Sequence, residues 1–258
     1  MDDKQKLVEI RKFDTGKLNY HTDLVIRECS LTILLNGERL IAISALPDNL
    51  MELAWGFLFS EGLILDKAEI SGYDFDEGNH LLDFQVTIPA TRISRFRETA
   101  EKTSGCGSAL SSTLAENSGL WWKTSLKGEK ILTLMKEFIG SSELFKSTGG
   151  VHLAGLVRDY QVLYKAEDLG RHNAVDKVIG RAFLKDDNLA DCILLCSGRL
   201  SSEIVKKAVR TGIPLIISKS AVTSGAIRLG WEYRIVLIGF ARGSRMNIYT
   251  GFQELEII

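Results

Sequence analysis

From Asp191 to Phe240 the chain alternates strand-like and helix-like stretches, and this order limits the fold more than any other feature. Ile193–Cys196 is a short apolar run, and 201–211 carries Ile204, Val205 and Ala208 at helical spacing. Residues 214–218, 223–230 and 234–240 then read as strand, helix and strand. Parallel strands need long crossovers, which helices supply, so a βαβαβ order predicts an α/β fold with a largely parallel sheet. Met246–Thr250 is expected as an edge strand. In such sheets ligands sit beyond the carboxyl ends of the strands. Three loops fall there: SGRLSSE (197–203), SKSAVTS (218–224) and FARGSRMN (240–247). All are small-residue turns with Arg or Lys, and two lead into helix starts, where free N–H groups and guanidinium groups suit phosphates. A single Arg in a turn is usually a surface residue. As a group, Arg171, Arg199, Arg242 and Arg245 are candidates to bind the phosphates of a ligand.

Upstream, 151–157 and 162–166 meet across Arg158-Asp159-Tyr160 as a hairpin. The chain turns at Gly170 into a helix with Val175, Val178, Ile179, Ala182 and Phe183 on its inner side. Glu167, Asp168, Arg171, His172, Asn173 and Asp176 crowd that turn, more polarity than packing needs, and such turns commonly carry sites. His172 either orients a loop or contacts ligand, or is capped by its own helix.

Towards the N-terminus, 30–35 and 40–45 alternate around Asn36-Gly37, a strong hairpin signal. A helix follows Pro47-Asp48, with Leu50, Leu53, Ala54, Phe57 and Leu58 on one face and Gly62 past its end. Asp66–Glu69 resembles a capping box, and Leu82–Ile88 alternates as a strand. Residues 91–97 read as a basic margin. Residues 98–128 show no sustained period and read as a long, partly mobile connection, a kind of loop that is usually functional or disordered. Trp121-Trp122 within it is expected to pack on the core or to dock a partner. A helix with Ile131, Leu132, Met135, Phe138 and Ile139 on one side comes next. The expected organisation is a small α+β region over 1–97, with parts of 98–128 joined to it, and an α/β domain over 129–258.

The 32 basic and 33 acidic residues leave a net charge of −1, which offers nothing to nucleic acid or anionic membrane. No apolar run approaches the roughly 20 residues of a membrane span. The first 13 residues are charged and lack a signal core. Four cysteines in 258 residues form no disulfide framework, so a reducing cytoplasm is expected.

Six segments together resemble the FdhD/NarQ family of formate dehydrogenase accessory sulfurtransferases: LAWGFLFSEGLI (53–64), SGCG (104–107), TGGVHLAGL (148–156), EDLGRHNAVDKVIG (167–180), SGRLSSEIVKKAVRTGIP (197–214) and GFARGSRMNIYTG (239–251). They run in order over nearly the whole chain. The resemblance implies a carrier that takes sulfur from a cysteine desulfurase as a persulfide. It passes that sulfur to the molybdenum of bis-molybdopterin guanine dinucleotide before the cofactor enters the formate dehydrogenase catalytic subunit. It further implies a larger domain like the cytidine deaminases and a homodimer. The persulfide cysteine of the family matches Cys106, between Gly105 and Gly107. The cofactor-binding turn matches Phe240, Ala241, Arg242, Gly243, Ser244 and Arg245, with Arg171, His172 and Arg199 as further candidates.

The chain departs from the family at one position. Many members have C-x-x-C in the loop, whereas Ala109 stands here at the second position, which excludes a two-cysteine relay. One cysteine still suffices for a persulfide, since an exposed thiolate is the nucleophile and flanking glycines let it approach other molecules. Cys29, Cys192 and Cys196 read as structural. Deaminase zinc is not expected, because His152 is followed by Leu153-Ala154 and no P-C-x-x-C exists. The rival reading is a non-catalytic chaperone that delivers the cofactor. A dinucleotide oxidoreductase is disfavoured by the lack of G-x-G-x-x-G after any strand.

Overall fold

The structure is a computed structural model that describes residues 4–102, 122, 124–252 and 256–257. An antiparallel arm opens the chain, β1 (Gln5–Asp14) paired to β2 (Lys17–Ile26). A four-stranded sheet follows in the order β4-β3-β6-β5, from β3 (Cys29–Leu35), β4 (Glu38–Ala45), β5 (Ile70–Asp76) and β6 (Leu81–Val86). The β3–β4 turn is the expected Asn36-Gly37 hairpin, both residues having positive φ. The Asn36 amide also bonds the backbone of Val86 in both directions, tying the turn to β6.

Helix α1 (Leu50–Ser60) covers this sheet, packing Leu53, Ala54, Trp55 and Leu58 against Leu31, Ile33 and Phe84. Helix α2 (Ala90–Lys102) takes in the stretch read as a basic margin and the start of the predicted connection. Its polar face hid a helical stripe: Ile93 and Phe96, three apart, pack into the α1 core, with Phe96 edge-on to Phe57. Arg92 and Arg97 flank that stripe and pair with Glu69 and Glu38.

The second half builds a six-stranded sheet in the order β12-β11-β10-β9-β7-β8. Its strands are β7 (His152–Arg158), β8 (Gln161–Asp168), β9 (Ile193–Cys196), β10 (Leu215–Ser218), β11 (Val236–Arg242) and β12 (Arg245–Thr250). β9, β10 and β11 are parallel, as the strand–helix order predicts, while β7, β8 and the edge strand β12 run antiparallel to their neighbours. The helices are α3 (Gly128–Gly140), α4 (Glu143–Thr148), α5 (Arg171–Leu184), α6 (Ser202–Thr211) and α7 (Ser224–Glu232). On one sheet face Leu194, Cys196, Ile216 and Leu237 meet Val175, Val178, Ile204 and Leu229 of α5, α6 and α7. On the other, Ile193, Leu195, Leu215 and Ile217 meet Ile131, Met135 and Phe138 of α3, and Trp122 packs there too. A strand covered on both faces reads as a continuous apolar run, hence ILLC and LIIS.

α1 crosses α5 in backbone contact. A Cβ at Gly56 would stand 1.8 Å from the Asp176 carbonyl oxygen, and one at Gly180 would stand 1.9 Å from that of Glu52. Only glycine fits on both sides of this seam.

Candidate functional site

The parallel strands end at Cys196, Ser218 and Arg242, and antiparallel β7 begins at the same edge with His152. Between them lies a cavity of about 450 Å³. All three loops picked out from the sequence reach it: Ser197 and Arg199 from the first, Lys219, Ser220 and Ala221 from the second, Phe240 and Arg242 from the third. Gly149, Gly150 and His152 form a further wall, with Phe145 and Ile139 at the apolar side.

Backbone bonds stitch the loops together. Phe240 N–H donates to the Ser220 carbonyl, Leu200 N–H to Ala221, Thr223 N–H to Leu200, and Lys219 N–H to Cys196. The buried Ser218 hydroxyl donates to the Gly198 carbonyl at 2.6 Å and accepts from Ser220 N–H. The Ser197 hydroxyl accepts from Leu153 N–H and lies 3.4 Å from His152 Nδ1. Burial and the Arg171 charge lower the His152 pKa, which favours the neutral ring.

Phe240 is held at φ 51°, in the left-handed region. A bulky residue is unfavourable there, and such conformations cluster at ligand clamps and active sites. Beside it, a Cβ on Gly239 would come within 2.7 Å of Val222. The Arg242 guanidinium sits over the Phe240 ring at 5.4 Å from its centre. Arg199, Lys219 and Arg242 line the cavity with no Asp or Glu among the lining residues, and none of the three has a carboxylate partner among the described residues. The arrangement suits an anion that also presents a flat or apolar part.

The candidates named from sequence divide. Phe240, Arg242 and Arg199 line the cavity, and Ala241 is buried beneath. Gly243, Ser244 and Arg245 form the exposed turn into β12 and do not line it. Arg171 and His172 lie behind the first loop. The Arg171 stem backs Gly198, where an added Cβ would meet it at 3.0 Å. His172 Nε2 is 3.4 Å from the Ser201 hydroxyl, and burial, with Arg171 and Lys207, brings its pKa down to about 4. Lys219, His152 and Phe145 were not proposed as ligand residues from the sequence. Lys219 sat inside a loop already singled out and was the one legible signal.

Asp168, Asn173, Asp176 and Lys177 of the 167–177 stretch face the seam. Asp168 and Lys177, both fully buried, pair at 2.6 Å, and Lys177 also donates to the carbonyls of Leu46 and Glu167. The Asn173 amide donates to the Ser44 carbonyl and to Asp168. Lys207 of α6 reaches Asp176, Glu61 and the Ser60 hydroxyl, and Arg210 reaches Glu61. Burial pushes the Asp176 pKa up to about 6 although Lys207 opposes it. For Glu61 burial also pushes upward, but Lys207 and Arg210 outweigh it and hold the pKa low.

Cys106, its flanking glycines and Trp121 lie outside the described residues. The other three cysteines are free thiols packed in the body, as the sequence suggested. Burial raises the pKa of all three, that of Cys196 to about 12, and Cys29 donates to the Ala45 carbonyl. No helix of the described residues is long and apolar enough to cross a membrane.

Comparison with known proteins places this geometry. Sulfur carrier protein FdhD of Listeria innocua is 33% identical over 96% of this chain and 97% of its own. The protein of the same name from Bacillus licheniformis is 36% identical over 96% of each, and that of Bacillus subtilis 34% over 97% of each. A crystal structure from Desulfotalea psychrophila, described as that of a formate dehydrogenase accessory protein, superposes with a TM-score of 0.78. That match covers 97% of this chain and 99% of the other at 24% identity, and so speaks to the fold. The FdhD/NarQ family profile matches residues 26–256, and the chain belongs to that family.

Proposed function

We propose that the chain is a cytoplasmic sulfur carrier that supports maturation of formate dehydrogenase, with bis-molybdopterin guanine dinucleotide held as cargo in the cleft. The names of its relatives support the role. The observation that carries the cargo site is the set Arg199, Lys219 and Arg242, without carboxylate partners among the described residues, around a strained Phe240. Diphosphate groups match those cations, and a planar base matches the aromatic wall. Helices on both faces of the six-stranded sheet support the deaminase-like description of the larger domain.

Cys106 is the carrier in this reading. Three of the four thiols are packed and held protonated, so they are poor nucleophiles. The Cys106 thiolate attacks the outer sulfur of the desulfurase persulfide. A new S–S bond forms on Cys106, the donor's S–S bond breaks, and the donor cysteine leaves as thiolate. The carried sulfur then passes to the cargo as its bond to Cys106 breaks, the Cys106 thiolate leaves, and a thiol reductant supplies the two electrons that bring the sulfur to the sulfide level. The rival is a chaperone that delivers the cofactor without transferring sulfur, which Ala109 in place of a second cysteine keeps in play. Restoring formate dehydrogenase activity in cells lacking their own carrier separates the two. A carrier predicts that Cys106→Ala fails and that Arg242→Ala is impaired. A Cys106→Ala variant with full activity would establish the chaperone.

A further inference from the structure

His152 stands on the cleft wall, and the sulfur-carrier steps do not use it. It opens β7, and the register sets it opposite Asp168 of β8, on the sheet face that α5 covers. The Ser197 hydroxyl oxygen already accepts from Leu153 N–H, so its own proton is available to His152 Nδ1 at 3.4 Å. That bond leaves the ring proton of the neutral form on Nε2, which has no hydrogen-bond partner among the described residues. Gly198 allows the close approach, since a Cβ there would stand 3.3 Å from Nδ1 and 3.0 Å from the Arg171 stem.

The charges around this ring are one-sided. Arg171 of α5 acts on it directly, and Arg199, Lys219 and Arg242 line the same cavity. Asp168, the carboxylate on its own sheet face, is taken by Lys177 at 2.6 Å and by the Asn173 amide. Glu167, the preceding residue in β8, pairs with Leu153 and lies on the other face. On α4, Glu143 and Lys146 pair with each other. Before an anion binds, the imidazole therefore meets cations without a free carboxylate to balance them, and a further positive charge is disfavoured.

We propose that His152 takes up a proton when an anionic ligand enters the cleft, and so becomes the fourth cation of its wall. This rests on the reading of the cleft as the cargo site, and adds how that site is charged. Bound phosphates reverse the sign of the field at the ring, so the charged form becomes the favoured one. Histidine is the side chain that ordinarily titrates close enough to neutrality to be switched in this way. A proton affinity raised by the ligand has a fixed consequence. Binding is tightest at low pH and weakens as pH rises through the value at which the complex loses its proton.

Calorimetry on the full chain tests this with guanosine diphosphate mannose, whose diphosphate is esterified at both ends and does not titrate near neutral pH. Heats measured near pH 6.5 in two non-phosphate buffers of unlike ionisation enthalpy give the protons taken up. Wild type should take up about 0.3–0.8 proton and bind about three- to tenfold more tightly near pH 6 than near pH 8. His152→Gln keeps an N–H donor but cannot be charged, so it should take up no proton and lose the pH dependence. The wild-type measurements stand even if that variant folds poorly. Wild-type affinity that ignores pH, or equal uptake in the two proteins, would overturn the inference and leave the cargo site standing. No binding by wild type would overturn both.

Discussion

Two places in the molecule gather charged side chains, the cleft at the carboxyl edge of the large sheet and the seam where α1 lies across α5 and α6. In the seam every charge has an opposite partner: Lys177 with Asp168, and Lys207 and Arg210 with Asp176 and Glu61. These groups are buried, where one unmatched charge would cost several kcal/mol, about 3–5 by analogy with broken buried pairs. In the cleft, Arg199, Lys219 and Arg242 face a cavity without carboxylates. The seam therefore holds α1 against the large domain, while the cleft keeps cations available for an anion. Neighbouring residues on the α5 segment serve different ends: Asp168, Asn173 and Asp176 stay in the seam, and Arg171 backs the cleft loop.

If the contrast is right, the largest losses come from the seam. Gly56→Ala and Gly180→Ala each drive a methyl into facing backbone and should cost about 3 kcal/mol or more, read by urea unfolding. A variant of normal stability would break the account of the helix crossing. Lys207→Met strands the Asp176 carboxylate, while Glu61 keeps Arg210, and should cost about 3–5 kcal/mol. Combining it with Asp176→Asn, with Glu61 kept for Arg210, should recover much of that loss.

Cleft substitutions should do the reverse. Arg242→Ala is expected to leave stability within about 0.5 kcal/mol, since its side chain is exposed. Guanosine diphosphate, a probe for the cargo's phosphates and base, should bind it about tenfold more weakly by calorimetry. Equal affinity would remove Arg242 from the site.

His172 sharpens the boundary between the regions through pH. Its pKa falls from 6.5 to about 4 on folding, chiefly by burial. Between those values the unfolded chain binds the extra proton, so this group's contribution is present above pH 6.5 and is lost as pH falls towards 4. His172→Gln should flatten that acid limb of the stability curve without changing the plateau near pH 8. An unchanged limb would mean the ring is not held neutral.

Much of the fold was legible in the chain. The strand–helix alternation after Asp191 gave the parallel sheet, and two turns gave the hairpins at Asn36-Gly37 and at 158–160. The same alternation located the three cleft loops, because strand direction alone fixes which edge they occupy. The seam was not legible. The partners of Asp176 are Ser60 and Lys207, 116 and 31 residues away, so its polarity looked like a site. Nor was the first arm: its strands mix charged, polar and apolar residues without burying a face, and no core pattern marks them. Helix α2 was masked by its arginines, whose carboxylate partners are distant in sequence.

The claim beneath the functional reading is that the Cys106 thiol carries sulfur while the three packed thiols do not. Intact mass after incubation with a cysteine desulfurase and cysteine tests it directly, on wild type and Cys106→Ala. A reductant-sensitive gain of sulfur on wild type, absent from Cys106→Ala, is the predicted result. Sulfur retained in Cys106→Ala, or none on wild type while the desulfurase loads another acceptor, would contradict it.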